Sequence, residues 1–244
     1  MKAIILTLIA FLALLPLAQP SQASFGQANE LAKAEKWPEA IAAYKETLNS
    51  SGPTAAALYN LGNAHYANGD TGRAILSWEQ AKLAAPNDAD IAHNLSVARR
   101  DTGTENPQPP AWQTPAFWLS LNGWATTGSL ALAALAAVAI LSAFGVKVRG
   151  QRLLCLTAVA VAILGTTAVG LRAHESRNAI IVAADAPLRI SPFDGARPLD
   201  TLAPGTTVQV LRKHGSFTQI VTSDGNKGWI NDTAVESVLP ADAR

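Results

Sequence analysis

The sequence predicts a multidomain membrane protein built from an all-α repeat solenoid, a two-helix transmembrane hairpin and a small all-β barrel. Three observations predict it. Trp124 to Val146 and Leu153 to Leu171 carry no charged residue, and each is long enough to cross the roughly 30 Å hydrocarbon layer as a helix. Residues 24–100 resemble themselves at a shift of 34 positions, the mark of stacked helical repeats. From residue 179 to 239, short alternating runs are punctuated by Gly, Pro and an Asp-Gly turn, which reads as strands and hairpins.

At the N-terminus, Lys2 precedes an apolar run from Ala3 to Leu17, then Pro20 and Ser21-Gln22-Ala23. A charged start, a short apolar run and a small-x-small site predict a secretory signal over residues 1–23, cleaved after Ala23. An uncleaved anchor is the alternative, and it leaves the soluble parts on the same face. Between the two spans, residues 147–152 hold Lys147, Arg149 and Arg152, and short basic loops stay in the cytoplasm. The expected topology is a hairpin that dips into a membrane and returns, with both flanking modules on the same, outer side.

Composition narrows the functions. A net charge of +1 gives no electrostatic case for nucleic-acid binding. The single cysteine, Cys155, lies within the second span, so no internal disulfide forms and a small packing side chain is expected there.

Residues 24–100 carry the repeat. In the clearest copy, Leu58, Leu61, Gly62, Tyr66, Gly69, Asp70, Ala74, Trp78, Ala81 and Pro86 fall in order. This pattern resembles the tetratricopeptide repeat (TPR). Gly62 and Ala74 are small where two helices cross, Leu58, Leu61 and Trp78 fill the space around them, and Pro86 ends the second helix. A shift back by 34 places Ala28, Ala40, Tyr44 and Thr47 on the positions of Gly62, Ala74, Trp78 and Ala81. A shift forward makes 88–100 a further first helix or a capping helix with a polar outer face, where Arg99 and Arg100 suit the helix dipole.

The resemblance implies a shallow concave face lined by first-helix residues, here Asn29, Asn60, Asn63 and Tyr66, as a peptide or protein groove. Asn29 and Asn60 match the asparagines of the carboxylate-clamp subset. The clamp's basic positions hold Phe25, Asp90 and Asn94, so charge-assisted capture of a C-terminus is not expected. Solvated polar residues on a helix surface are the competing reading of these asparagines. His65 and His93 lie on neighbouring first helices without ligand spacing around them, so packing is expected and no metal.

Residues 101–116 contain four prolines and read as an extended linker that gives the array no fixed pose. Trp112, Phe117, Trp118 and Trp124 gather at the start of the 117–146 segment, as aromatics do at a membrane boundary. The spans are rich in Ala, Gly, Ser and Thr, including Gly128-Ser129 and Gly165-Thr166-Thr167, which permits close helix packing in lipid. No ionisable residue lies at mid-membrane, against a transporter or proton path.

The 179–239 region resembles the bacterial SH3-like domain through Pro187-Leu188-Arg189, the Leu202…Pro204-Gly205 turn and Gly228-Trp229-Ile230. The expected core is Leu188, Leu202, Val208, Val210, Ile220 and Ile230, with Gly228 allowing a tight strand approach. Phe193, Phe217 and Trp229 are the candidate exposed aromatic groove, with Trp229 as barrel packing the equal alternative. No Cys–His pair, carboxylate cleft or phosphate loop appears in the sequence, so neither enzyme activity nor a cofactor is expected.

Signal, repeats, Pro-rich linker, two spans and SH3-like barrel, in that order, resemble the BatE-type proteins of bacterial aerotolerance (Bat) systems. The resemblance implies a scaffold in an envelope complex, with membrane-bound von Willebrand factor A (VWA) domain proteins and a MoxR-type ATPase as partners. A cell-wall sensor or anchor that grips peptidoglycan through the barrel is the rival reading.

Overall fold

The computed structural model describes residues 22–104, 119–145, 150–175 and 178–239. The signal segment up to residue 21, linker residues 105–116, the aromatics Trp112, Phe117 and Trp118, and loop residues 147–149 lie outside the described residues. Five helices form the repeat array: α1 (Gln22–Lys33), α2 (Trp37–Ser51), α3 (Ala55–Ala67), α4 (Thr71–Ala84) and α5 (Ala89–Thr102). Two long helices follow, α6 (Leu121–Ala143) and α7 (Gln151–Glu175). Among the described residues seven strands follow: β1 (Asn178–Ile181), β2 (Ala186–Arg189), β3 (Pro198–Leu202), β4 (Thr207–His214), β5 (Phe217–Thr222), β6 (Lys227–Asn231) and β7 (Val235–Ser237).

The helices start and stop where local chemistry dictates. Thr54, Asp70 and Asp88 cap α3, α4 and α5 by accepting backbone N–H bonds from Ala57, Arg73 and both Asp90 and Ile91, which satisfies donors the helix cannot. Gly103 ends α5 in the left-handed conformation at φ 66°. Tyr44 and Trp78 occupy the same position in successive repeats and are both buried. A methyl group on Gly62 would lie 2.5 Å from Trp78 Nε1, which explains glycine at that crossing.

The apolar stretches of α6 and α7 run from Gly123 to Ala143 and from Gln151 to Gly170, each long and apolar enough to cross a membrane. Leu130, Leu132, Ile140, Phe144, Leu153, Leu156, Ile163 and Leu164 are exposed. A core helix of a soluble protein would bury these side chains, whereas lipid accepts them. The helices meet at glycines, with a Cβ on Gly165 falling 3.6 Å from Gly128 Cα. Gln151 Nε2 donates to Ser142 Oγ at 2.8 Å across the turn.

The strands form one antiparallel sheet in the order β3-β2-β6-β5-β4-β1-β7. It is open, which corrects the expected closed barrel. The edges explain why. β3 begins with Pro198 and exposes its first four residues, and β7 is three residues long. Neither presents the long unpaired ladder that closure needs. Inside the curled sheet, Ala179, Ile181, Leu188, Leu202, Val208, Ile220 and Ile230 form a core, while Val210 is only half-buried. Gly228 packs against Leu188, and an added Cβ would fall 2.6 Å from Leu188 Cδ1.

The second face of β1 overturns the expectation that the array has no fixed pose. Ile180 and Val182, with Val238, share one core with Leu58, Ile75, Trp78, Ile91 and Leu95 of the repeats. The N-terminal turn of α4 lies against the end of β1, and Gly205 lies against Ile75. Arg99 is 1% exposed rather than solvated at a helix end; its Nη1 pairs with Glu79 at 2.9 Å and its Nη2 donates to Thr207 at 3.1 Å. Arg73 Nε reaches Glu236 of β7 at 3.2 Å. The array and the sheet are therefore one docked unit, in which α4 and α5 cover the Ile180 and Val182 face of β1.

Gly72 tests this docking by the sign of its effect. In a free helix, replacing Gly by Ala stabilises by up to about 1 kcal/mol. Here the new methyl group would lie 2.7 Å from the Val182 carbonyl oxygen and 2.8 Å from its Cα. Gly72→Ala is expected to destabilise by about 1–3 kcal/mol, read as a lower Tm of the detergent-solubilised protein; a higher Tm would contradict the docking.

Candidate functional site

The concave face of the array is built by α1, α3 and α5, the first helices of successive repeats. Asn29 on α1 and Asn60 on α3 are brought together directly. Asn29 Oδ1 accepts from Asn60 Nδ2 at 3.0 Å and from the Tyr44 hydroxyl at 2.7 Å. One repeat further, Asn63 Oδ1 accepts from Asn94 Nδ2 at 3.0 Å and from Trp78 Nε1 at 3.1 Å. Each member of the second set lies 34 residues after its counterpart in the first: Asn29 and Asn63, Tyr44 and Trp78, Asn60 and Asn94. The asparagines are thus fasteners between repeats: the Asn29 and Asn63 oxygens are each shared between two donors, and Asn60 and Asn94 each supply one of them. A residue so engaged is neither a loose solvated side chain nor a simple clamp finger.

Two adjoining clefts lie along this face. The larger, about 490 Å³, is lined by Gly26, Asn29, Glu30, Lys33, Trp37 and Asn60 among others. The smaller, about 290 Å³, is lined by Asn63, Tyr66, Trp78, Asn94 and Val97. Asn63 belongs to both. Tyr66 tilts against Trp78 with ring centroids 5.6 Å apart, and its hydroxyl donates to Asp101. That hydrogen bond to a carboxylate holds the phenol above its ordinary pKa. Of the three positions where a clamp would need cations, Phe25 packs on Tyr44 at 6.1 Å, Asp90 is exposed and Asn94 is part of the ladder.

The repeat turn holds a second polar cluster. His65 is buried with Nδ1 3.5 Å from Asp70 Oδ2, and Arg73 Nη1 is 2.9 Å from the same oxygen. Burial would raise the Asp70 carboxyl, but contacts with His65 and with the Arg73 side chain and backbone N–H, together with the Arg73 charge, outweigh it and hold the group well below the usual carboxylate range. The turn and cap therefore depend on an ionised Asp70. His93 is exposed, and no cluster of His, Cys, Asp and Glu suited to a metal ion occurs among the described residues.

The three aromatics expected to form an open groove on the sheet do not do so. Phe193 is 57% exposed, but Phe217 and Trp229 are 5% and 7% exposed. Pairing places Trp229 opposite Gln219 and Arg189, and Phe217 opposite His214. Arg212 lies over the Trp229 ring at 5.3 Å, and His214 meets its edge at 6.1 Å. Trp229 is packed under polar neighbours, and Phe217 is buried.

Asn94 and Arg99 were missed as partners in the sequence. Carrying the 34-residue shift from Asn60 to Asn94 would have found the first. The unbroken apolar run from Ala179 to Val182, buried on both faces as such strands are, hinted at the surface that Arg99 helps to seal.

Residues 25–90 match the family model described as Tetratricopeptide repeat. No curated protein matches the chain. TPR repeats are a protein–protein interaction module, consistent with a scaffold or adaptor, and the clefts along α1, α3 and α5 are where such a module offers its concave surface.

Two outcomes follow for this region. Asn29→Ala removes the acceptor shared by Tyr44 and Asn60 and is expected to destabilise the protein by about 1–3 kcal/mol; a solvated surface asparagine would change Tm by no more than about 0.5 kcal/mol equivalent. Asp70→Asn is expected to cost about 1–2 kcal/mol at pH 7. Because the folded carboxyl titrates below its unfolded value of about 3.9, the native advantage over Asp70→Asn is complete above that value and fades as pH falls below it. Paired thermal melts at pH 7 and at pH 3.5 check the sign.

Proposed function

We propose that the protein is a non-enzymatic inner-membrane scaffold that holds a TPR groove and an SH3-like sheet together in the periplasm, within a Bat-type envelope complex linked to aerotolerance or stress. The observation that carries this reading is the core shared by α4, α5 and β1 on either side of the hairpin in sequence. Two segments that pack on one another lie on one side of a bilayer, so the chain between them crosses an even number of times. The cations Lys147, Arg149 and Arg152 in the connecting loop favour the cytoplasm for the turn and the periplasm for the docked unit.

The partner class follows from the clefts. They are concave, mixed in polarity and open along the array, which suits an extended or helical peptide segment. Glu30 and Lys33 pair on the rim at 2.7 Å, so the cleft has no single dominant charge. Membrane-bound VWA-domain proteins, with a MoxR-type ATPase, are the partners the family resemblance implies. The burial of Phe217 and Trp229 favours this scaffold over a peptidoglycan sensor, which needs aromatic faces open to the wall.

Two measurements test it. In a Cys155→Ala background, cysteines at Lys33 and Asp224 are expected to react with a membrane-impermeant maleimide in intact spheroplasts, and one at Arg152 only after permeabilisation. The reverse pattern would refute the periplasmic placement. Gly26 lines the larger cleft with nothing within 4 Å of an added Cβ. Gly26→Phe is therefore expected to fill the cleft without lowering Tm, and to reduce co-purification of the VWA-type partner at least tenfold in mild detergent. Equal recovery with both forms would remove the groove from the account.

A further inference from the structure

The sheet has two chemically different ends. β4 runs antiparallel to β1, with Gln209 opposite Asn178 and Thr207 opposite Ile180. Residues 210–214 therefore continue past the point where the chain enters the sheet from α7, by about 16 Å of strand. The hairpin they form with β5 carries Leu211, Arg212, Lys213, His214, Gly215 and Ser216, all exposed. Leu211 is 48% exposed, and Lys213 is 72% exposed although its Nζ comes within 3.9 Å of Asp232. Arg212 Nε donates to Gln219 at 2.8 Å, which holds its guanidinium along the sheet face. The opposite end is the β5–β6 turn, where Asp224 offsets Lys227.

The tether fixes which end is near the bilayer. The second apolar span ends at Gly170, and α7 continues to Glu175. Only residues 176 and 177 separate Glu175 from Asn178. Asn178 therefore stands at most about 18 Å above the hydrocarbon edge, and headgroups fill the first roughly 6 Å of that height. The remaining gap is shorter than the reach of the β4–β5 hairpin. The array is bound to the same base, because α4 also contacts α6.

We propose that the β4–β5 hairpin tip, Leu211 to Ser216, rests on the anionic headgroups of the bilayer that α6 and α7 cross. The proposal rests on the reading of those helices as spans. Arg212 and Lys213 face lipid phosphates, so the docked unit stands on the membrane at two places, the hairpin of spans and this tip. Each cation near an anionic surface shifts such a contact about fivefold, and the pair about 30-fold.

The test uses the full chain in nanodiscs of phosphatidylcholine with or without phosphatidylglycerol. In a Cys155→Ala background, a fluorophore is placed at Ser216→Cys, at Asp224→Cys or at Leu132→Cys. Headgroup-nitroxide lipid is expected to quench the Ser216 probe several-fold more than the Asp224 probe. The quenching should rise with phosphatidylglycerol and fall in high salt or in Arg212→Gln/Lys213→Glu. The salt and lipid dependences need no substitution at the tip, so a misfolded variant does not decide the outcome. Acyl-chain nitroxide should quench the Leu132 probe in every case. Quenching at Leu132 with equal, weak signals at Ser216 and Asp224 overturns the proposal alone. No quenching at Leu132 overturns the span reading and the proposal together.

Discussion

The contact between the first turn of α4 and the end of β1 organises the molecule. It is close because Gly72 has no side chain to hold Val182 away. It is apolar because Ile75, Ile180, Val182 and Val238 converge on it. It is sealed on one side by Arg99, buried between Glu79 and Thr207, and on the other by Arg73 reaching Glu236. A buried arginine is costly unless paired, and the partners come from α4 and β4. Neither the array nor the sheet alone would complete that set.

This docking changes what the membrane hairpin is for. Two modules on independent tethers could sample many poses. Two modules with a common core present one surface of fixed shape, and on the proposed reading of α6 and α7 as spans that surface stands at a set height above the bilayer. The clefts along α1, α3 and α5 remain open, since the sheet occupies the face made by α4. The asparagine ladder stiffens the concave side at the same time. Each Asn–aromatic–Asn set ties one first helix to the next, so a groove of two and a half repeats keeps its curvature without further repeats to brace it.

Much of this was legible in the sequence because its signals are local. The 34-residue period, the glycines at 62 and 228, and the uncharged spans each follow from spacing or from backbone and side-chain sterics. What was not legible is long-range. Nothing near Arg99 in sequence announces that Thr207, 108 residues away, will meet it, and a basic residue at a helix end is ordinarily solvated. The continuous apolar run at β1 was visible, but a closed barrel and a docked open sheet both bury such a strand. The asparagine network was not legible. Periodicity places Asn29, Asn60 and Asn63 on one side, whereas their bonding to Tyr44, Trp78 and Asn94 depends on how the helices cross. The sheet aromatics failed for a similar reason, because residue type alone does not say that Arg212 and His214 will cover Trp229.

The most direct measurement is the distance distribution between spin labels on the array and on the sheet, at Glu39→Cys in α2 and Asp224→Cys in the β5–β6 turn, in Cys155→Ala protein held in nanodiscs. A common core requires one narrow distribution that is unchanged by lipid composition. A broad distribution, of the kind produced by domains joined only through a flexible connection, would contradict the account at its foundation.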